Sequence, residues 1–181
     1  YVDFISNTVI ANEAYEGGGA LIGCYSGPSF IDNVFYKNEG ILGDDLLLGN
    51  VRDIGRLCTC FVAYNILDST KCEIVGSSDL IWGDGNVAAE PLFSDTLYYN
   101  PDPLSPVLDR GTSGVYSPVA GRIINAPLYD FFGNPRPFGD GWDIGAIEYT
   151  IDQIQEFTCQ VPEREILTTP NPFRERVLID T

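Results

Sequence analysis

Phe4-Ile5-Ser6-Asn7-Thr8-Val9-Ile10-Ala11-Asn12-Glu13-Ala14 lies over Phe30-Ile31-Asp32-Asn33-Val34-Phe35-Tyr36-Lys37-Asn38-Glu39-Gly40 at a constant offset of 26 residues. Phe, Ile, both Asn and Glu are identical in the two copies. A third, degraded copy runs through Phe61-Val62-Ala63-Tyr64-Asn65-Ile66-Leu67, after a longer excursion. Each copy is a short β-branched and aromatic run ended by polar residues, with Gly-rich chain between copies such as Gly17-Gly18-Gly19. That pattern predicts strands separated by turns. Alternation at a period of two sets Ile5, Val9 and Phe35 inward and Ser6, Thr8 and Lys37 outward. No stretch carries a sustained helical period with caps.

A repeat of this length made of short strands predicts an all-β fold: a right-handed parallel β-helix, a single-stranded solenoid in which one repeat is one turn. One turn cannot bury its apolar face alone, so successive turns stack and share a core. Equivalent strands then pair in parallel about 4.8 Å apart. Asn7 and Asn33, and Asn12 and Asn38, recur where the chain must bend. Asparagine tolerates the left-handed conformation and can bond to the Asn above it, which predicts a structural ladder. A leucine-rich repeat has a similar length but needs a Leu-x-x-Leu-x-Leu skeleton, which is absent. A β-sandwich would not produce an in-register copy.

The segment Phe4 to Lys37, with its glycine cluster, strand and Phe-Ile-x-Asn turn, resembles the repeats of pectin-lyase-like β-helix proteins. Four later blocks sharpen the likeness. They are Gly85-Asn86-Val87-Ala88-Ala89-Glu90-Pro91-Leu92-Phe93, then Pro103-Leu104-Ser105-Pro106-Val107-Leu108-Asp109-Arg110-Gly111, then Asp130-Phe131-Phe132-Gly133-Asn134-Pro135-Arg136-Pro137, and Asp143-Ile144-Gly145-Ala146-Ile147-Glu148-Tyr149. In this order they resemble the C-terminal region of secreted bacterial β-helix proteins of the choice-of-anchor Q type. The departure is an extra loop from Gly111 to Leu128.

The resemblance implies β-helix turns over residues 1–80 and terminal turns with an irregular C-terminal cap over 81–149. A solenoid end exposes strand edges and apolar rows, so it must be covered. Trp82, Phe93, Phe131, Phe132, Phe138 and Trp142 are expected as apolar plugs, and Asp109, Arg136 and Asp143 as cap residues fixed by ion pairs and backbone bonds. The same aromatics would alternatively form a sugar-stacking platform. Residues 150–165 are polar and acidic and read as a linker. Thr169-Pro170-Asn171-Pro172-Phe173 before Val177-Leu178-Ile179 resembles the start of the sorting domain of the type IX secretion system. On that resemblance residues 166–181 open a truncated anchoring domain, the partner is the type IX secretion machinery, and the location is extracellular, attached to the surface of a diderm bacterium.

Twenty-six acidic residues against ten basic ones give a net charge of −16. Such a surface repels nucleic acid and anionic lipid, both of which need Lys/Arg to neutralise phosphate. It is compatible with neutral glycans, with cations such as Ca²⁺, or simply with staying soluble outside a cell, and polysaccharide or another surface protein is the expected partner. No stretch approaches the roughly 18 apolar residues of a membrane helix, so no membrane insertion is expected. The chain has no methionine and opens in mid-pattern, so it is expected to be part of something longer. Five cysteines stand at 24, 58, 60, 72 and 159, in no zinc-binding spacing and without a histidine to complete one. Cys58 and Cys60 share one strand face. Disulfides from them to Cys24 or Cys72, or buried free thiols, are the open alternatives.

Catalysis is expected to be absent from this chain. Gly43-Asp44-Asp45 is similar to the paired-Asp motif of polygalacturonases, but the histidine and the Arg-Ile-Lys element of that family are missing. Asp44 and Asp45 are therefore candidates for a binding contact, a loop turn or a Ca²⁺ contact rather than for acid–base work. The absence of histidine also excludes a Ser-His-acid triad. The expectation is a structural protein, an adhesin or a glycan-binding surface. One alternative is a polysaccharide lyase or glycoside hydrolase with its site on upstream turns; another is a subunit of an extracellular fibre.

Overall fold

The computed structural model describes residues 2–23, 27–49 and 58–150. The first copy of the repeat forms β1 (Asp3–Ile5), β2 (Thr8–Ile10), β3 (Glu13–Glu16) and β4 (Ala20–Ile22). The second forms β5 (Ser29–Ile31), β6 (Val34–Tyr36), β7 (Glu39–Leu42) and β8 (Leu46–Leu48). Each strand of the first copy pairs in parallel with its counterpart in the second: Phe4 with Phe30, Val9 with Phe35, Glu13 with Glu39, and Leu21 with Leu47. The offset read from the sequence is therefore the register of four successive strand pairs. The Phe4 and Phe30 rings stack at 4.7 Å, nearly coplanar.

Two of these sheets continue. β9 (Thr59–Ala63) and β11 (Asp79–Trp82) extend the first into the parallel order β1-β5-β9-β11, and β10 (Cys72–Ile74) pairs with β8. Ile66 and Val87 extend the β2-β6 row as single bridges. Phe30 pairs with Val62 and Ile31 with Ala63, so the degraded third copy joins the same sheet at a longer spacing. The fold is all-β apart from a single 3₁₀ turn, Ser69–Lys71, among the described residues. The expected linker and sorting segment beyond residue 150 lie outside the described residues, as do Cys24 and Cys159.

Rows of asparagine set this register. Asn33 Oδ1 accepts both the main-chain N–H and the side-chain amide of Asn7, at 2.9 and 3.0 Å. Asn65 does the same for Asn33, and Asn86 for Asn65. The amides of Asn33, Asn65 and Asn86 also donate back to the carbonyls of Phe4, Phe30 and Val62. Donors and acceptors left over by strand pairing at the bend are thus consumed by one residue per repeat. A parallel row joins Asn12 to Asn38 and ends on Asp45.

The asparagines are not the left-handed residues, as the sequence reading had them. Positive φ falls one residue earlier, at Ser6 (53°), Ala11 (53°), Asp32 (56°), Lys37 (53°) and Tyr64 (57°). The preceding residue makes the bend, and the asparagine after it uses its amide to close the backbone groups the bend opens.

The inner strands β5 and β9 of the sheet β1-β5-β9-β11 are covered on both faces. Phe30 packs with Phe35, Leu46, Leu48 and Val62 on one side. Ile31, Ala63 and partly buried Ile5 pack on the other side against Ile124 and Val115 of the antiparallel hairpin β12 (Gly114–Ser117) and β13 (Arg122–Asn125). Ile5 accordingly does not share a face with Val9 and Phe35, contrary to the alternation expected. A strand buried on both sides shows no clean alternation, and Ser29-Phe30-Ile31 is buried throughout. Nearby, Val107 and Ile144 cover Val34 and Ile66. The region after β11 therefore lies along the flank of the repeats. Trp82, Phe131 and Phe138, expected as plugs, are 42%, 72% and 43% exposed.

Asn65 is fully buried and bonded on every side, whereas Asn7 is exposed at the end of the row. Replacing a buried asparagine strands several backbone groups, so Asn65→Ala should lower unfolding stability by about 2–4 kcal/mol. Asn7→Ala should lower it by less than about 1 kcal/mol, as read by denaturant titration.

Candidate functional site

A trough crosses the bends of three successive repeats. Its first part, about 340 Å³, is lined by Tyr36, Lys37, Asp68, Lys71 and Glu90. Its second, about 270 Å³, is lined by Ile10, Leu92, Phe93, Asp95 and Tyr99, and shares Tyr36, Lys37 and Glu90 with the first. The chain's two lysines both stand here. β6 ends on Tyr36, and the left-handed bend at Lys37 swings the next side chain out over the Tyr36 ring, its Nζ 4.9 Å from the centroid. The chain returning from Val87 carries Glu90 across the bend, where the Tyr36 hydroxyl donates to Oε1. That bond holds the Tyr36 phenol above its usual ionisation range. Phe93 meets Tyr36 edge-on at 6.4 Å and Tyr99 at 5.4 Å. Asp95 fixes the loop beyond by accepting the N–H groups of Leu97, Tyr98 and Tyr99. The trough thus combines aromatic edges with carboxylate, ammonium and hydroxyl groups on rigid backbone.

Asp44 and Asp45 lie apart in environment although adjacent in sequence. Asp44 is half-exposed; Oδ2 pairs with Lys71 Nζ at 3.1 Å and Oδ1 accepts the Gly40 N–H. The Lys71 bond holds its carboxyl below the usual range. Asp45 is 2% exposed, accepts the Asn38 amide at 3.0 Å, and is pushed up by burial. Asp44 reaches the trough only through Lys71, and Asp45 closes the second asparagine row. Among the described residues no three Asp, Glu or Cys side chains gather into a metal site.

The residues assigned to a cap separate into three places. Asp109, Arg136 and Asp143 come together on the flank. Arg136, 5% exposed, donates to the carbonyls of Asp143 (3.1 Å) and Gly145 (2.7 Å), with Nε 3.6 Å from Glu148 Oε2. The Asp143 carboxylate accepts the N–H groups of Asp109 and Tyr149, both at 2.7 Å, and Asp109 accepts that of Gly141. Trp142 is half-buried beside them. Phe93 belongs to the trough, and Trp82 is exposed at the end of β11. Sequence reasoning missed Tyr36 and Glu90, which are 54 residues apart and meet only through the fold. A third, apolar depression of about 520 Å³ lies between Phe4, Phe30 and Phe35 and the loop residues Tyr98 and Phe131.

No protein-family model matches the chain, and neither a curated protein nor a solved structure matches it.

Cys58, Cys60 and Cys72 are free thiols. Burial pushes Cys60 and Cys72 up to about 12. At about pH 8 such a thiol is thiolate in roughly one molecule in ten thousand. Iodoacetamide should therefore leave Cys60 and Cys72 unmodified in the native protein and label both after denaturation, as mapped by peptide mass spectrometry.

Proposed function

We propose that this chain is part of a right-handed parallel β-helix that is exported and held at the cell surface of a diderm bacterium, and that it binds polysaccharide without catalysis. The solenoid reading is supported by the constant register of four successive parallel strand pairs. Export and anchoring are supported by the likeness of the four blocks between Gly85 and Tyr149 to secreted β-helix proteins, and by the Pro170-Asn171-Pro172-Phe173 element. The ordered Asn rows would make a rigid body suited to displaying a fixed surface outside a cell.

The observation that carries the binding role is the trough itself. It runs across the repeats rather than along one strand, from Ile10 past Tyr36 to Asp68, so it follows the axis along which a linear polymer would lie. Its aromatic edges suit the apolar faces of sugar rings, and its carboxylates, ammonium groups and phenol suit hydroxyls. Neutral chains fit better than acidic ones, because the protein's net charge of −16 opposes a polyanion. Asp44 bonds to Lys71 and Asp45 to Asn38, which leaves no freely paired carboxylates for hydrolysis there.

Calorimetric titration with soluble neutral and acidic polysaccharides tests the reading. The expected result is binding of a neutral chain that weakens about tenfold or more in Tyr36→Ala, with no new reducing ends released. Loss of one central aromatic contact is worth about that much. Failure to bind any chain, or equal binding by Tyr36→Ala, would overturn the trough as the site. Release of reducing ends would replace the binding reading with an enzymatic one.

A further inference from the structure

Asp32 is the first of the two bend residues of the second repeat and has no exposed surface. Its main-chain carbonyl accepts the N–H of Gly145 at 2.7 Å, and its Oδ1 accepts that of Thr112 at 3.0 Å. One residue thus fastens two distant points of the flanking segment to the repeats. The other carboxyl oxygen, Oδ2, is buried and has no hydrogen-bond partner. At the equivalent bend of the first repeat, Ser6 Oγ is likewise buried and without a partner.

The surroundings are rich in acceptors. A Cβ built on Gly111 would sit 3.1 Å from Asp32 Oδ1, 2.9 Å from the Trp142 carbonyl oxygen and 3.2 Å from that of Asp143. Of the charged groups facing Asp32, Arg136 favours its anion and Glu148 opposes it. Beyond them, Asp143 and Asp130 both act on Glu148 or its neighbours, and Asp109 acts on Asp143. Arg136 already serves two carbonyls and Glu148. A carboxylate oxygen with no donor in such a place is strongly disfavoured, whereas a carboxylic acid offers the missing proton. Burial outweighs the Thr112 bond and Arg136 and pushes Asp32 up to about 7.

We propose that Asp32 is a protonation latch: as the neutral acid it holds the segment 107–149 against the repeats, and loss of its proton to water loosens that segment. The surface uncovered is the apolar flank of Ile31, Val34 and Ile66, which Ile124, Val107 and Ile144 cover when the latch is closed. The direction follows from the raised ionisation. The contact is strongest in acid, weakens as pH rises toward about 7, and is at its weakest above that.

Amide hydrogen exchange at Thr112 and Gly145, corrected for the intrinsic dependence of exchange on hydroxide, reads the latch directly. Between about pH 5.5 and about pH 8.5 their protection should fall roughly thirtyfold, the change that linkage gives for a carboxyl moved from its ordinary value to about 7. In Asp32→Asn, which keeps an acceptor for Thr112 but cannot ionise, the dependence should shrink to what remains from Asp143, which burial also pushes up to about 7. Flat protection in the unaltered protein, or an undiminished slope in Asp32→Asn, would overturn the proposal. If Asp32→Asn does not fold, carbon-13 titration of the Asp32 carboxyl in the unaltered protein decides: a midpoint near 7 supports the latch, and one near the ordinary value of about 4 overturns it.

Discussion

The hydrogen bond from one asparagine to the next is the constraint on which the rest of the structure depends. Parallel strand pairing alone tolerates slippage, since backbone bonds look alike from one residue to the next. The row Asn7-Asn33-Asn65-Asn86 removes that freedom. Each Oδ1 must receive both an amide and a main-chain N–H from the row above, and a shift of one residue would leave both buried and unmet. With the bends pinned, Phe4 falls on Phe30, and the shared core of Phe30, Phe35, Leu46 and Leu48 follows.

The second constraint is that a parallel sheet here has no face to spare. Ile5, Ile31 and Ala63 lie opposite the Phe30 core, and water would meet them were it not for the β12–β13 hairpin, just as Val107 and Ile144 cover Val34 and Ile66. The segment that covers them has little regular structure, so its backbone is tied together by side chains instead. Asp130, Asp143 and Glu148 accept main-chain N–H groups, and Arg136 donates to main-chain carbonyls. A large share of the chain's buried charge is thus spent on holding loops against a hydrophobic flank. Asp32 is one of the points at which that segment is bonded to the repeats, alongside Thr8 with Ala146 and Ser29 with Ser117.

How much of this could be read beforehand depends on whether the information was local. The register was legible because identical residues recur at one spacing, and the strands because their β-branched runs end at Gly and Asn. The later rungs Asn65 and Asn86 were harder, since the spacing changes to 32 and then 21 residues. The sidedness of Ile5 was hard to read because alternation marks a strand with one wet face, and the strands β5 and β9 that hold its counterparts have none. The left-handed positions were displaced by one residue because asparagine is the usual occupant of such bends, and here it is employed as their neighbour's support. The aromatics of the last blocks drew attention as plugs, yet nothing in their spacing says that the chain doubles back along the flank. The trough depends on Tyr36 meeting Glu90, a pairing that exists only once the chain has doubled back.

The bend residues themselves have a wider consequence. Ser6, Ala11, Asp32, Lys37 and Tyr64 all adopt a conformation that glycine would enter with less strain, and only at the last rung, before Asn86, is the bend residue a glycine, Gly85. Because the asparagine that follows secures the backbone, each bend, of which the first two repeats have two apiece, can carry a different side chain without disturbing the rows. Serine, alanine, aspartate, lysine and tyrosine occupy these bends in turn, and the lysine of the trough and the buried acid of the flank are both among them. Such a molecule separates its scaffold from its chemistry within a span of two residues, so new binding character can be acquired one bend at a time while the architecture stays as it was.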